Sequence, residues 1–184
     1  MKLAVPLCLF ITLALLLAGC ATPVKESALT PSDIAAYSTT GKSIVVAPVV
    51  VRPQPKPGFL MDEPPRLDGK TFRQAIVDTL KKTNLFSSIQ VSGEADYTLA
   101  ADIIGQRQLG TLSNIELLLV RYTLFDVANR REVWTANILS HFELSAEQVF
   151  MGMERSTQVL EGASRANMNQ LGEQLGSVFS EQGH

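Results

Sequence analysis

Cysteine is almost absent from this chain. It occurs twice in 184 residues, as Cys8 and Cys20. Everything after residue 20 therefore lacks a thiol, which excludes a disulfide framework, a cysteine-held metal site and a cysteine nucleophile there. Histidine is equally scarce, with His141 and His184 alone. Neither sign of charge dominates: 16 Lys and Arg face 18 Asp and Glu, for a net charge of −2. Without a basic patch the chain has no electrostatic footprint for nucleic acid, and without an acidic block it has no charged tail. The motifs of common chemistries are missing too. There is no G-x-S-x-G elbow, no H-E-x-x-H, no phosphate-binding Walker loop and no G-x-G-x-x-G. Paired acids occur at Asp62/Glu63 and Asp96/Asp102, but neighbouring surface carboxylates are common and need no acid–base role. His141 falls on the polar side of an alternating segment, as a solvated strand histidine would. The sequence thus predicts no catalytic residue, no metal, no cofactor and no enzyme.

One long apolar run is present, from Leu3 to Leu17, interrupted only by Pro6 and Thr12 and preceded by Lys2. It is shorter than the roughly 20 residues that cross a bilayer comfortably. A positive start, an apolar middle and small residues at the end form the pattern of a secretory signal peptide. The run closes on Leu17-Ala18-Gly19-Cys20. This tetrapeptide resembles the lipobox of bacterial lipoproteins, in which the peptidase cuts before a cysteine that already carries diacylglycerol. The resemblance implies residues 1–19 as signal peptide, Cys20 as the lipidated residue and the membrane as one partner. Each acyl methylene contributes about 0.8 kcal/mol of membrane affinity, so two or three chains make attachment effectively permanent. Ala21, standing where an aspartate would favour inner-membrane retention, implies the periplasmic face of the outer membrane.

Residues 20–43 are rich in Ala, Ser, Thr and Pro and lack a sustained apolar period. They are expected to form the lipidated N-terminus and a flexible tether, with a short helix near Ser32 to Tyr37. Fully extended, such a segment spans roughly 75 Å. Residues 44–184 then make one periplasmic domain, of a size that supports a real core.

Within it, Ile44 to Val51 is a β-branched run that predicts a strand buried on both faces, with Pro48 at an edge or a bulge. Arg52 to Pro65 is dense in proline and predicts an extended loop with Phe59, Leu60 and Met61 at its tip. That tip either docks on a partner or folds back on the domain. A helix is expected from Gly69 to Thr83, capped by Asp68 or by the Thr71/Gln74 box, with Phe72, Ile76 and Leu80 on one stripe. Strands are expected at Phe86–Val91, Ala95–Ile104, Ile115–Val127 and Arg131–Phe142. Gly105–Asn114 reads as a connection, and Ala128-Asn129-Arg130 as a hairpin turn with Asn129 at positive φ. A second helix from about Ala146 to Ser180 carries Leu160, Ala163, Met168, Leu171, Leu175 and Val178, with Gly172 and Gly176 packed on the sheet. The sum is an α+β sandwich: a small mixed, mainly antiparallel sheet covered by two main helices.

Three features carry a further resemblance. They are Ala47-Pro48 in the first strand, Asn84-Leu85-Phe86 followed by Ala95-Asp96-Tyr97-Thr98-Leu99, and Asp126-Val127 through Glu132-Val133-Trp134. In this order they resemble envelope lipoproteins that share the small α/β domain of TolB, the curli secretion lipoprotein and the penicillin-binding-protein activator LpoB. That resemblance implies a non-catalytic binding or accessory module in envelope assembly, with an envelope protein as partner. Phe59, Leu60, Met61, Arg130 and Arg131 are the candidate contact residues. The alternative is an auxiliary lipoprotein of an envelope lipid or lipopolysaccharide transport system, which requires a deep apolar groove of about 300 Å³ or more.

Overall fold

The computed structural model describes residues 24–54, 65–109, 115–144 and 152–181. In chain order these form α1 (Glu26–Leu29), β1 (Ser43–Val46), β2 (Val50–Val51), α2 (Gly69–Thr83), β3 (Ser88–Gln90), β4 (Tyr97–Leu109), β5 (Ile115–Asp126), β6 (Arg131–Glu143) and α3 (Gly152–Glu181). The expected α+β arrangement holds. The strands make one open sheet in the order β3-β1-β4-β5-β6, with β2 alongside β4. β1 lies parallel to β3 and β4, whereas the long β4, β5 and β6 are antiparallel. Among the described residues no helix is long and apolar enough to cross a membrane.

Strand parity decides what is buried. Leu118, Val120, Tyr122 and Leu124 of β5 are fully buried, as are Leu99 and Ile103 of β4 and Ile44 and Val46 of β1. They point at the helices, and the intervening residues point the other way. α2 begins where Asp68 Oδ1 accepts the Lys70 and Thr71 amides at 2.9 and 3.0 Å. The Thr71/Gln74 box is not used, because Gln74 donates to Asp78. Asn84 ends the helix in the left-handed region at φ 58°. From α2, Arg73 reaches the carbonyls of Val46 and Val91 and ties the helix to two strand ends. α3 is pinned by a buried polar chain. Tyr122 Oη donates to Asn167 Oδ1 at 2.7 Å, Asn167 Nδ2 donates to the Ile138 carbonyl, and Ser140 Oγ donates to the Ala163 carbonyl. Burial pushes the Tyr122 phenol well above its usual pKa.

Several expectations need correcting. The run Ile44–Val51 is two strands, because after the Ala47 amide donates to the Leu99 carbonyl the ladder lapses at Pro48-Val49. It is buried on one face only, and Val50 is exposed. Residues 105–109 are strand rather than connection. A bulge at Ile104 shifts the register, so that Gly105 pairs with Leu119 and the polar residues beyond alternate in and out. In the hairpin turn Arg130, not Asn129, takes positive φ, at 51°. Asn129 instead gives its amide and side chain to Asp126, which is the main reason that carboxyl lies below its usual pKa.

The largest correction concerns residues 24–42. They are not a free tether but a strap seated on the helices. The helical turn lies at Glu26–Leu29 rather than Ser32–Tyr37, and Leu29 is completely buried. Arg165 holds the Ala28 carbonyl at 2.6 Å and Lys82 holds the Pro31 carbonyl at 2.6 Å. The Tyr37 amide donates to the Thr83 carbonyl at 2.8 Å and the Thr40 amide to the Leu85 carbonyl at 2.9 Å. Gly172 and Gly176 make room for this strap and not for the sheet. A Cβ on Gly172 would stand 2.7 Å from Ile34, and one on Gly176 would stand 2.3 Å from the Tyr37 ring. The glycine that admits the sheet is Gly162, under Phe142. A segment without apolar periodicity looks free, but backbone carbonyls and a few apolar anchors suffice to seat it.

Candidate functional site

Three features emerge beyond the core: an open sheet face, a cleft, and a buried acid. The open face is the side of the sheet away from the helices. Its centre is polar. Arg52 leaves β2 and grips Asp102 of β4 in a two-pronged ion pair, with Nε at 3.0 and 2.9 Å from the two carboxylate oxygens. Arg121 stands opposite Asp102 in register and donates to Asn137 at 3.0 Å. The Arg52 hydrogen bond, helped by the charges of Arg52 and Arg121, holds the Asp102 carboxyl below its usual pKa. Apolar side chains flank this ladder. Leu119 and Leu139 form a cross-strand pair, with Leu139 60 % exposed, and Phe125 is also exposed. Thr123 and Thr135 share a hydrogen bond at 3.2 Å between them. The face therefore joins an apolar patch to a fixed row of charges and hydroxyls.

The cleft, of about 750 Å³, opens at the opposite end of the sheet from the α3 N-terminus. The strap forms one wall through Tyr37 and Thr40, and Leu85, Tyr97 and Phe179 form the other. Phe179 meets Phe86 and Tyr97 edge-on at 5.2 and 5.4 Å, an arrangement that suits the quadrupoles of the rings. Hydroxyls and Lys42 line the rest. Lys42 pairs with Asp96 at 3.4 Å. Asp96 also takes the amide and hydroxyl of Ser43, and these bonds chiefly keep its carboxyl below the usual range.

Glu116 is the buried acid. It lies on the helix-facing side of β5, is fully buried, and neither oxygen has a hydrogen-bond partner among the described residues. Burial pushes its pKa up to about 7, and the amides of Gln108 and Gln106 offset only part of that cost. Those amides are engaged elsewhere, Gln108 with the Ser156 carbonyl and Gln106 with the Pro65 carbonyl. Sequence reasoning missed this cluster by taking residues 105–114 as a connection. The available signal was parity, since Glu116 shares the face of Leu118, Val120 and Tyr122.

The residues singled out from sequence fare differently. Cys20, Phe59, Leu60 and Met61 lie outside the described residues. The ends of the proline-rich loop are fastened, at Arg52 by Asp102 and at Pro65 by Gln106. Arg130 and Arg131 sit exposed at the hairpin tip, with Arg131 opposite Asp126. The tip lies beside the cleft, since the Val127 amide donates to the Asp96 carbonyl at 2.9 Å. His141 is exposed on the open face, opposite Leu117. Among the described residues no three His, Cys, Asp or Glu stand close enough to hold a metal ion.

No protein-family profile matches the sequence, and no curated protein does. Solved structures do resemble the fold. Protein XCC0632 of Xanthomonas campestris, of the DUF330 family, aligns with a TM-score of 0.65 at 12 % identity, covering 83 % of this chain and 95 % of its own. Protein CT253 of Chlamydia trachomatis aligns with a TM-score of 0.53 at 14 % identity, covering 78 % and 98 %. Lipoprotein GNA1162 of Neisseria meningitidis overlaps more loosely, with a TM-score of 0.39 at 12 % identity over 76 % and 96 %. The two closer overlaps are likenesses of fold, each spanning nearly the whole of the bacterial protein concerned.

Proposed function

We propose that the chain is a lipoprotein anchored through Cys20 to the periplasmic face of the outer membrane, where it works by binding another envelope protein and not by catalysis. The anchor rests on the lipobox-like Leu17-Ala18-Gly19-Cys20. The observation that carries the binding role is the open sheet face. It sets the exposed Leu139 and Phe125 beside the ordered Arg52–Asp102 pair and Arg121. Exposed apolar side chains on either side of a polar row offer a partner both contact area and hydrogen bonds, and ion pairs already formed in the free protein reduce the ordering cost of docking. The test replaces Leu139 and Phe125 together by Asp in the lipidated protein and follows the cross-linked partner recovered from native membranes. Loss of the partner at an unchanged melting temperature supports the reading. Recovery at the wild-type level removes this face from consideration. In parallel, Cys20→Ala should abolish fatty-acid labelling, and labelling that persists would refute the anchor.

A second reading, an auxiliary component of envelope lipid transport, draws on the cleft. At about 750 Å³ it is large enough for an acyl chain, and Tyr37, Leu85, Tyr97 and Phe179 line part of it. Hydroxyls and Lys42 line the remainder, which suits a mixed surface better than a tail. Stoichiometric lipid in organic extracts of the purified domain would favour this second reading over the first.

A further inference from the structure

The strap has a geometric consequence for the orientation of the domain on its membrane. We infer that the helix layer rests against the lipid headgroups, at the α1 end of the strap, and that the open sheet face looks away from the bilayer. This rests on acylation of Cys20. Only Ala21, Thr22 and Pro23 separate Cys20 from Val24, and Val24 already packs against the core. Four residue steps reach about 14 Å at full extension. The tether is therefore several-fold shorter than the roughly 75 Å that a free segment would allow.

The strap begins on the outer side of the helices. α1 packs on α2 and α3, and Ala28 and Pro31 are held by Arg165 of α3 and Lys82 of α2. A folded chain of about 140 residues is roughly 35–40 Å across. A link of about 14 Å cannot run round such a body, so the sheet's far face cannot be turned to the membrane. One helix layer about 10–12 Å thick lies between the strap and the sheet, so the open face stands at least that much farther out than the strap. Charges where the strap begins are mixed. Lys25 and Arg165 both act on Glu161, and Glu26 stands next to Lys25. The short link, not headgroup charge, sets the orientation, which is therefore insensitive to salt.

The test uses the lipidated full chain in phosphatidylethanolamine–phosphatidylglycerol vesicles with a quencher on the headgroups. Cys8 leaves with the signal and Cys20 is acylated, so one introduced thiol takes the fluorophore. Ser27→Cys labels the strap, and Leu139→Cys labels the open face. Quenching should be several-fold stronger at residue 27 than at residue 139, with and without added salt. Equal or reversed quenching overturns the orientation. An insertion of about 20 Gly and Ser residues between Thr22 and Pro23 lengthens the link by tens of ångströms. It should erase the difference without changing the melting temperature. A difference that survives the insertion refutes the short link as its cause. Mature protein that carries no acyl chain defeats both the anchor and the orientation, whereas acylated protein with equal quenching defeats the orientation alone.

Discussion

Glu116→Gln should make the domain more stable at neutral and alkaline pH, and the size of the gain follows from the burial of this one carboxyl. In the unfolded chain it titrates near its ordinary value of 4.5, and in the fold near 7. The folded state therefore holds its proton more tightly. Below pH 4.5 the group is neutral in both states and costs nothing extra. Between about 4.5 and 7 the unfolded state loses the proton first, so stability falls as pH rises. Above about 7 both states are ionised and the loss is complete, at most about 3 kcal/mol. An amide of the same shape removes that slope. It also brings a donor beside Gln108, whose Oε1 is buried without a partner among the described residues. Urea unfolding at half-unit steps from pH 4.5 to 8.5 reads the effect directly. Glu161 is also raised, by burial, and slopes the same way, but it is common to both proteins and cancels in the difference. Asp68, Asp96, Asp102 and Asp126 are all held low, so their stabilisation is lost only as pH falls below the ordinary carboxylate range. Parallel pH profiles for wild type and variant would refute the argument, and would mean that water or a partner reaches the carboxylate.

The other expectations concern packing. Tyr122→Phe leaves Asn167 Oδ1 buried without its donor and should cost about 1–3 kcal/mol in denaturant melts. Leu80→Ala removes a fully buried side chain of α2 and should cost about 2–5 kcal/mol, so an unchanged melting temperature would contradict its place in the core. Gly162→Ala drives a Cβ to 2.3 Å from Phe142, and an overpacking cost of about 1–3 kcal/mol should exceed the gain in helix propensity. Arg130→Gly relieves a left-handed residue and should leave the fold as stable or raise its melting point slightly, as calorimetry would show.

The regular elements were legible because their periods are strong. The stripe Phe72, Ile76, Leu80 located α2 and its buried face, and the alternation in 115–142 located the β5–β6 hairpin. What escaped was structure whose information lies elsewhere in the chain. Nothing in Ala28 or Pro31 announces that Arg165 and Lys82 hold their carbonyls. The Ile104 bulge hid the strand beyond it, because a shift of one residue moves polar side chains onto the expected apolar parity. The site was less legible still. The Arg52–Asp102 pair joins residues 50 apart, and the open face is defined by what the helices leave uncovered, which no local pattern records.

The contact between Arg165 and Ala28 spans 137 residues, which gives the domain an order of assembly. The strap's seat is built from α2 and α3, and α3 is the last of the described elements. The sheet and α2 form from nearer partners, such as the β4–β5–β6 meander, whose loops close at small entropic cost. The strap precedes every strand in the chain and yet depends on the last described helix for its seat. Until α3 docks, residues 24–42 lack the Arg165 contact that holds the Ala28 carbonyl. A truncation before Arg165 should accordingly leave residues 24–42 open to protease in a chain whose hairpin still forms.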